Sequence, residues 1–187
     1  MSESVTASHY EKQLTSEEIC KNHVFTVTYD KVLLENGHTS MRFVVHHRGG
    51  ACIAPLDGEG NVWMVRQYRY ALQEELLELP AGKLEPGEDP FESAKRELEE
   101  ECGLVADRYL DLGVLYPTVG YDSEKIYTWA AVGLHPTRQH LDADEFLTPV
   151  KVPLDQAVQM VLDGSIRDGK TVAGILKLSA LRQAGVL

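Results

Sequence analysis

Positive charge is what this chain has least of: 18 Lys and Arg stand against 29 Asp and Glu, a formal charge of −11. A surface of that sign neither wraps nucleic acid nor lies on an anionic bilayer, since both need a basic face. Long apolar runs are missing too, and no stretch approaches the roughly 18 residues of a membrane span. The opening "MSESVTASHYEKQLTSEE" has neither the basic nor the apolar segment of a secretory signal. Cysteine is scarce: Cys20, Cys52 and Cys102 are an odd number without CxxC spacing. That excludes a disulfide framework and leads us to expect a reduced, cytoplasmic protein. Low-complexity tracts and internal repeats are absent, which sets aside disorder and solenoids.

With 187 residues, 43% of them apolar, the chain is long enough for one domain with a real core and a modest appendage. Residues 1–48 read as a polar lead-in to about residue 20, followed by a strand hairpin. The alternating "VFTVTYDKVLL" and "TSMRFVVH" flank an Asn36-Gly37 turn. Residues 49–187 read as the main domain. "ACIAPL" and "VWMVRQYRY" form a second strand pair, and further strands are expected at "LLELP", Asp111 to Tyr116, "KIYTWAAVG" and Val150 to Val152. A helix is predicted to start after Asp89 as N-cap, with Pro90 in its first turn and Glu92 completing a capping box, and to stop at Gly103. Two more are expected near Leu154–Leu162 and Thr171–Arg182. This alternation predicts an α/β (α+β) domain with a mixed sheet between helices.

The first of these helices raises a physical question. At 100° per residue, Phe91, Ala94, Leu98 and Cys102 share one side and face the core. Taking Glu97 as zero, Glu101 lies at about 40° and Glu100 at about −60°, a stripe of three carboxylates beside the apolar face, while Glu99 points away. Carboxylates so grouped raise one another's pKa or destabilise the helix unless a cation neutralises them. Hard oxygen donors suit Mg²⁺ or Mn²⁺, which keep open positions for phosphate oxygens.

"GKLEPGEDPFESAKRELEEECGL", Gly82 to Leu104, fits G-x5-E-x7-R-E-U-x-E-E-x-G-U (U aliphatic) at Gly82, Glu88, Arg96, Glu97, Leu98, Glu100, Glu101, Gly103 and Leu104. On these residues the chain resembles a Nudix hydrolase. The resemblance implies an α/β/α sandwich that hydrolyses a nucleoside diphosphate linked to another moiety with a divalent metal, Mg²⁺ or Mn²⁺. It also implies the metal ligands Glu97 and Glu101, with Glu100 directly or through water and the carbonyl of Ala81. Arg96 and Glu88 would hold the carboxylates from outside.

Beyond the box, "VRQYRY", "ELLELPAGKLE", "YPTVGYDSEKIY" and "VPLDQAVQMVLDGSIRDGKTVAGIL" resemble the ADP-ribose pyrophosphatase branch. That likeness implies a small nucleotide-sugar substrate and a homodimer whose N-terminal strands help to form the adenosine pocket. Tyr29 or Tyr68 would stack on adenine. Arg69 and Arg42 would grip the diphosphate, with Arg66 and Lys83 as lesser candidates. The catalytic base would come from the acidic loop "LDADEFLTP", with Glu145 the closest match, Asp144 its neighbour and Glu124 the competitor. Relatives of this branch carry an acid where this chain has Thr148. GDP-mannose or another nucleotide sugar is the alternative substrate, and a non-catalytic nucleotide sensor the alternative class.

Other signals read as structural. "GSIRDGKT", Gly164 to Thr171, matches the phosphate-loop pattern G-x-x-x-x-G-K-[ST], but a helix-like segment rather than a strand precedes it. His46 and His47, adjacent in a strand, point to opposite faces. Cys102 belongs to the apolar side of the acidic helix.

Overall fold

A computed structural model describes residues 9–143 and 145–187. The chain forms β1 (Lys12–Lys21), β2 (Phe25–Leu33), β3 (Thr39–His47), β4 (Gly50–Leu56), β5 (Asn61–Arg69), β6 (Glu74–Glu78), β7 (Ala81–Lys83), α1 (Pro90–Cys102), β8 (Leu104–Leu115), β9 (Ile126–Pro136), β10 (Leu147–Pro153), α2 (Leu154–Leu162) and α3 (Gly169–Gln183). By contact pattern the strands and helices fall into two compact units.

The first unit comprises the described residues up to Arg48, together with Thr118–Glu124. Its sheet has the antiparallel order β1-β2-β3. The expected hairpin is present, and Gly37 takes φ +82° in its turn, a conformation that favours glycine. The polar lead-in does not stay irregular: Lys12–Lys21 is a ten-residue strand, exposed throughout and paired with β2 across two bulges. Asp30, only 6% exposed, fastens the pair by accepting from Ser16 Oγ at 2.6 Å and Gln13 Nε2 at 3.0 Å.

The second unit, Gly49–Pro117 with Lys125–Leu187, is the mixed sheet with helices on both faces that the sequence predicts. The order is β10-β5-β4-β9-β8, with β6 on β5 and β7 on β4, and β4–β9 is the parallel pair. Strand β4 is buried along its whole length, as a central strand covered on both sides must be. Its side chains divide by the two-residue period of a strand. Ala51 and Ile53 pack with Ala94, Leu98 and Cys102 of α1, while Cys52, Ala54 and Leu56 pack with Leu154, Ala157, Ile175 and Leu178 of α2 and α3. Cys102 therefore packs, and burial pushes its thiol up to about 12.

Helix α1 starts and stops where its sequence says. Asp89 accepts from the Phe91 and Glu92 amides, Pro90 opens the helix, and Gly103 closes it at φ 63°. Strand β8 is longer than expected, beginning at Leu104 immediately after this stop. No helix among the described residues is long and apolar enough to cross a membrane.

Candidate active site

The end of β6 leads through Leu79 and Pro80 to Ala81 and Gly82, directly against the acidic side of α1. Glu97 and Glu101, 6% and 3% exposed, lie buried there. Glu101 accepts from the Ala81 amide at 3.0 Å. Glu97 lies so close to Gly82 that a β-carbon on the glycine would fall 1.8 Å from its Oε1. The glycine of the motif is thus a cradle for a carboxylate.

Arg96 organises the outer edge. Its Nη1 lies 2.8 Å from Glu97 Oε1 and 2.7 Å from Glu100 Oε2, while Nε donates to Glu88 Oε1 at 2.9 Å and Nη2 to Ser93 Oγ at 3.1 Å. One guanidinium fork therefore fixes three acids. Its hydrogen bond holds Glu88 below the usual carboxylate range. Glu100 turns towards Arg96 on the half-exposed flank rather than joining the buried pair. The described residues contain no group of three His, Cys, Asp or Glu side chains arranged to hold a metal ion. The three-carboxylate stripe expected from the helix resolves into a buried pair and a third acid tied to arginine. Glu99, expected to be solvated, is half-buried and accepts from Thr137 Oγ1 at 3.1 Å.

The buried pair is electrostatically unfinished. Burial pushes Glu97 up to about 7; the Arg96 charge opposes the shift, and the carboxylates of Glu100 and Glu145 add to it. Burial and Glu97 push Glu101 up to about 8, against the Ala81 amide. Two acids that resist ionisation, Glu97 held by a glycine cradle and an arginine fork and Glu101 by the Ala81 amide, fit a divalent cation as their missing partner. Such an ion would be held by Glu97 and Glu101, with Glu100 and the Ala81 carbonyl as further donors.

Glu145, in the exposed loop before β10, raises both Glu97 and Glu101 by its charge, so its carboxylate lies within electrostatic reach of the pair. Its amide donates to the Asp142 carbonyl at 3.0 Å. Asp144 lies outside the described residues, and Thr148 is exposed in β10, opposite Arg66. The competitor Glu124 belongs to the first unit, where it lies 3.6 Å from His47 Nδ1.

The substrate candidates divide between the units. In the first, Arg42 forks onto Glu11 at 2.6 and 2.9 Å, and Tyr29 packs on Phe43 with ring centroids 4.6 Å apart. In the second, Tyr68, Arg66 and Lys83 are exposed. Arg69 at the end of β5 makes a bidentate pair with Glu78, both contacts at 2.6 Å. Sequence reasoning missed Glu78 and Lys170. Glu78 is 1% exposed and lies between Arg69 and Lys170, which also reaches Asp168 at 2.9 Å. Burial works against the Glu78 charge, but the two cations outweigh it and hold its carboxyl below the ordinary range. The available signal was Lys170 in "GSIRDGKT", which the structure places at the start of α3, after α2 and a turn, with no strand delivering it.

A model of the NUDIX domain matches residues 46–174. The chain is 38% identical over 167 residues to a methanol dehydrogenase activator of Bacillus methanolicus, covering 88% of this chain and 90% of that one. It is 35% identical over 178 residues to an ADP-ribose pyrophosphatase of Bacillus subtilis (strain 168), covering 93% and 96%. A crystal structure of an ADP compounds hydrolase superposes with a TM-score of 0.82 at 24% identity, over 95% of this chain and 97% of that one, which establishes the shared fold.

Proposed function

Since the chain belongs to the NUDIX domain family, we propose that it hydrolyses the pyrophosphate bond of a nucleoside diphosphate sugar, ADP-ribose giving AMP and ribose 5-phosphate. The observation that carries this reading is the buried Glu97–Glu101 pair, which burial and neighbouring carboxylates leave in need of a cation. The 35% identity to an ADP-ribose pyrophosphatase over nearly the whole of both chains supports the choice of substrate.

A divalent ion, Mg²⁺ or Mn²⁺, would screen the diphosphate and acidify the attacking water. The chain's own residues supply the rest. Arg96 keeps Glu97 and Glu100 in place, and Glu88 keeps Arg96 in place. Glu145, on an exposed loop within reach of the pair, orients water and takes its proton. Arg69 presents its free edge to the diphosphate, and Tyr68 or Tyr29 offers a face to the base. Residues 1–48 serve as the dimer element: the exposed strand β1 and the apolar side chains Leu14, Ile19, Met41 and Phe43 on this sheet give a second copy something to cover. A homodimer in the cytoplasm completes the reading.

The test is incubation of the purified protein with Mg²⁺ and ADP-ribose, GDP-mannose, NADH, diadenosine polyphosphates or 8-oxo-dGTP, with products resolved by chromatography. Preferential release of AMP from ADP-ribose is expected. Cleavage of GDP-mannose in its place would move the substrate while keeping the chemistry, and tight binding without cleavage of any compound would indicate a sensor.

A further inference from the structure

The segment that spells a phosphate loop uses its lysine and threonine on the protein itself. Asp168 caps α3, accepting from the Thr171 amide at 3.0 Å and from the Thr171 hydroxyl at 2.5 Å. The same hydroxyl, fully buried, accepts from the Leu79 amide at 2.8 Å. Leu79 in turn lies flat against α3, where a β-carbon on Gly174 would fall 2.4 Å from its Cδ1. The start of α3 is therefore locked to the stretch of chain that runs into Ala81 and the acidic pair. Arg167 adds an outer tie to Glu74, at 2.5 Å, at the other end of β6.

Inside this lock, Lys170 is 9% exposed and divides its ammonium between Asp168 and Glu78. Glu78 spends both oxygens: Oε1 accepts from Arg69 Nε, and Oε2 from Arg69 Nη2 and Lys170 Nζ. Arg69 is left with its side chain 41% exposed and its Nη1 without a protein partner among the described residues. The charge of Glu101 is felt at Arg69, and that of Lys170 is felt at Glu101.

We propose that Lys170 is a positioning residue for the diphosphate subsite, fixing Glu78 so that Arg69 is held by two of its nitrogens and offers Nη1 to an anionic substrate. The inference rests on the reading of Arg69 as a phosphate-gripping residue. Two effects follow. Geometrically, Glu78 pinned from its far side cannot swing and carry Arg69 away. Electrostatically, Arg69 and Lys170 balance Glu78 and Asp168, so the cluster is neutral; without Lys170 it carries −1 beside a site that must accept a diphosphate.

Steady-state kinetics on whichever panel compound is cleaved fastest test this. Lys170→Met is expected to raise KM about tenfold with kcat altered less than about threefold, the signature of lost binding rather than lost chemistry. Lys170→Gln, which keeps a hydrogen-bond donor and is the safer variant for folding, should show the same split at smaller size. In an Arg69→Gln background, itself raised in KM, Lys170→Met should add little. The inference is overturned if the Lys170 variants melt earlier but keep their KM, or if the Lys170 penalty persists undiminished when Arg69 is absent. An unchanged KM in Arg69→Gln alone would remove the arginine subsite and this inference with it, while leaving hydrolysis intact. Absence of turnover across the panel would instead sink the functional reading.

Discussion

Gly82 and Glu97 occupy each other's space: a β-carbon at residue 82 would lie 1.8 Å from Glu97 Oε1 and 2.2 Å from its Cδ. The contact joins β7 to the buried face of α1, and it explains in steric terms why the motif begins on glycine. Glu97 is 6% exposed and held by Arg96, so it has little freedom to yield.

Gly82→Ala should accordingly leave the core sheet intact but displace the Glu97 carboxylate. We expect a loss of metal-dependent turnover of about a hundredfold, the scale associated with misplacing a reacting group by an ångström. Circular dichroism should stay near that of the parent. Activity within a few-fold of the parent would show that Glu97 is not fixed by this contact.

Glu145→Gln tests the base. Removing a general base costs about 10² to 10⁴ in rate, and kcat should fall in that range while divalent-ion affinity changes little. Glu124→Gln, at a residue that belongs with His47 to the first unit, should leave kcat much closer to the parent. The reverse ranking would move the base to Glu124, and equal small effects would remove both.

Stability should depend on pH through the acidic pair. With folded-state values raised to about 7 for Glu97 and about 8 for Glu101, the metal-free native state binds more protons than the unfolded chain above the ordinary glutamate range. Their contribution is thus fully favourable at pH values below the unfolded pKa and is lost as pH rises through about 7 and 8. Thermal melts in EDTA should therefore fall as the pH is raised from about 5.5 to about 8.5. Saturating Mg²⁺ should flatten the slope, because a bound cation takes the place of the protons. A flat profile in EDTA would mean that the pair ionises freely. Glu78 and Glu88, held low by their cations, work in the opposite sense, and their contribution is lost only at more acidic pH.

Much of this architecture is legible from local chemistry. Asp89, Pro90 and Gly103 bound α1 by capping rules that act within one turn, and the 100° spacing separates Ala94, Leu98 and Cys102 from the acids. Strand β1 is not legible, because an exposed edge strand has no buried face to impose alternation: "KQLTSEEICK" owes its conformation to pairing with β2. The position of Glu100 is hidden for a different reason. A helical wheel gives its direction from the axis, but the choice between the buried pair and Arg96 is made by a guanidinium fork one turn away. Glu78 and Lys170 lie 92 residues apart in sequence, and nothing local marks them as partners. Only the packing of α3 onto the chain leaving β6 brings the carboxylate and the ammonium together.

We infer that Glu97 and Glu101 form the seat of a divalent ion. Titration of the protein with Mn²⁺, with free ion followed by electron paramagnetic resonance and proton release by pH-stat near neutrality, tests it most directly. Saturable binding accompanied by proton release is expected for the parent, and loss of both for the Glu97→Gln/Glu101→Gln variant that still melts cooperatively. Unaltered Mn²⁺ binding in that variant would contradict the account.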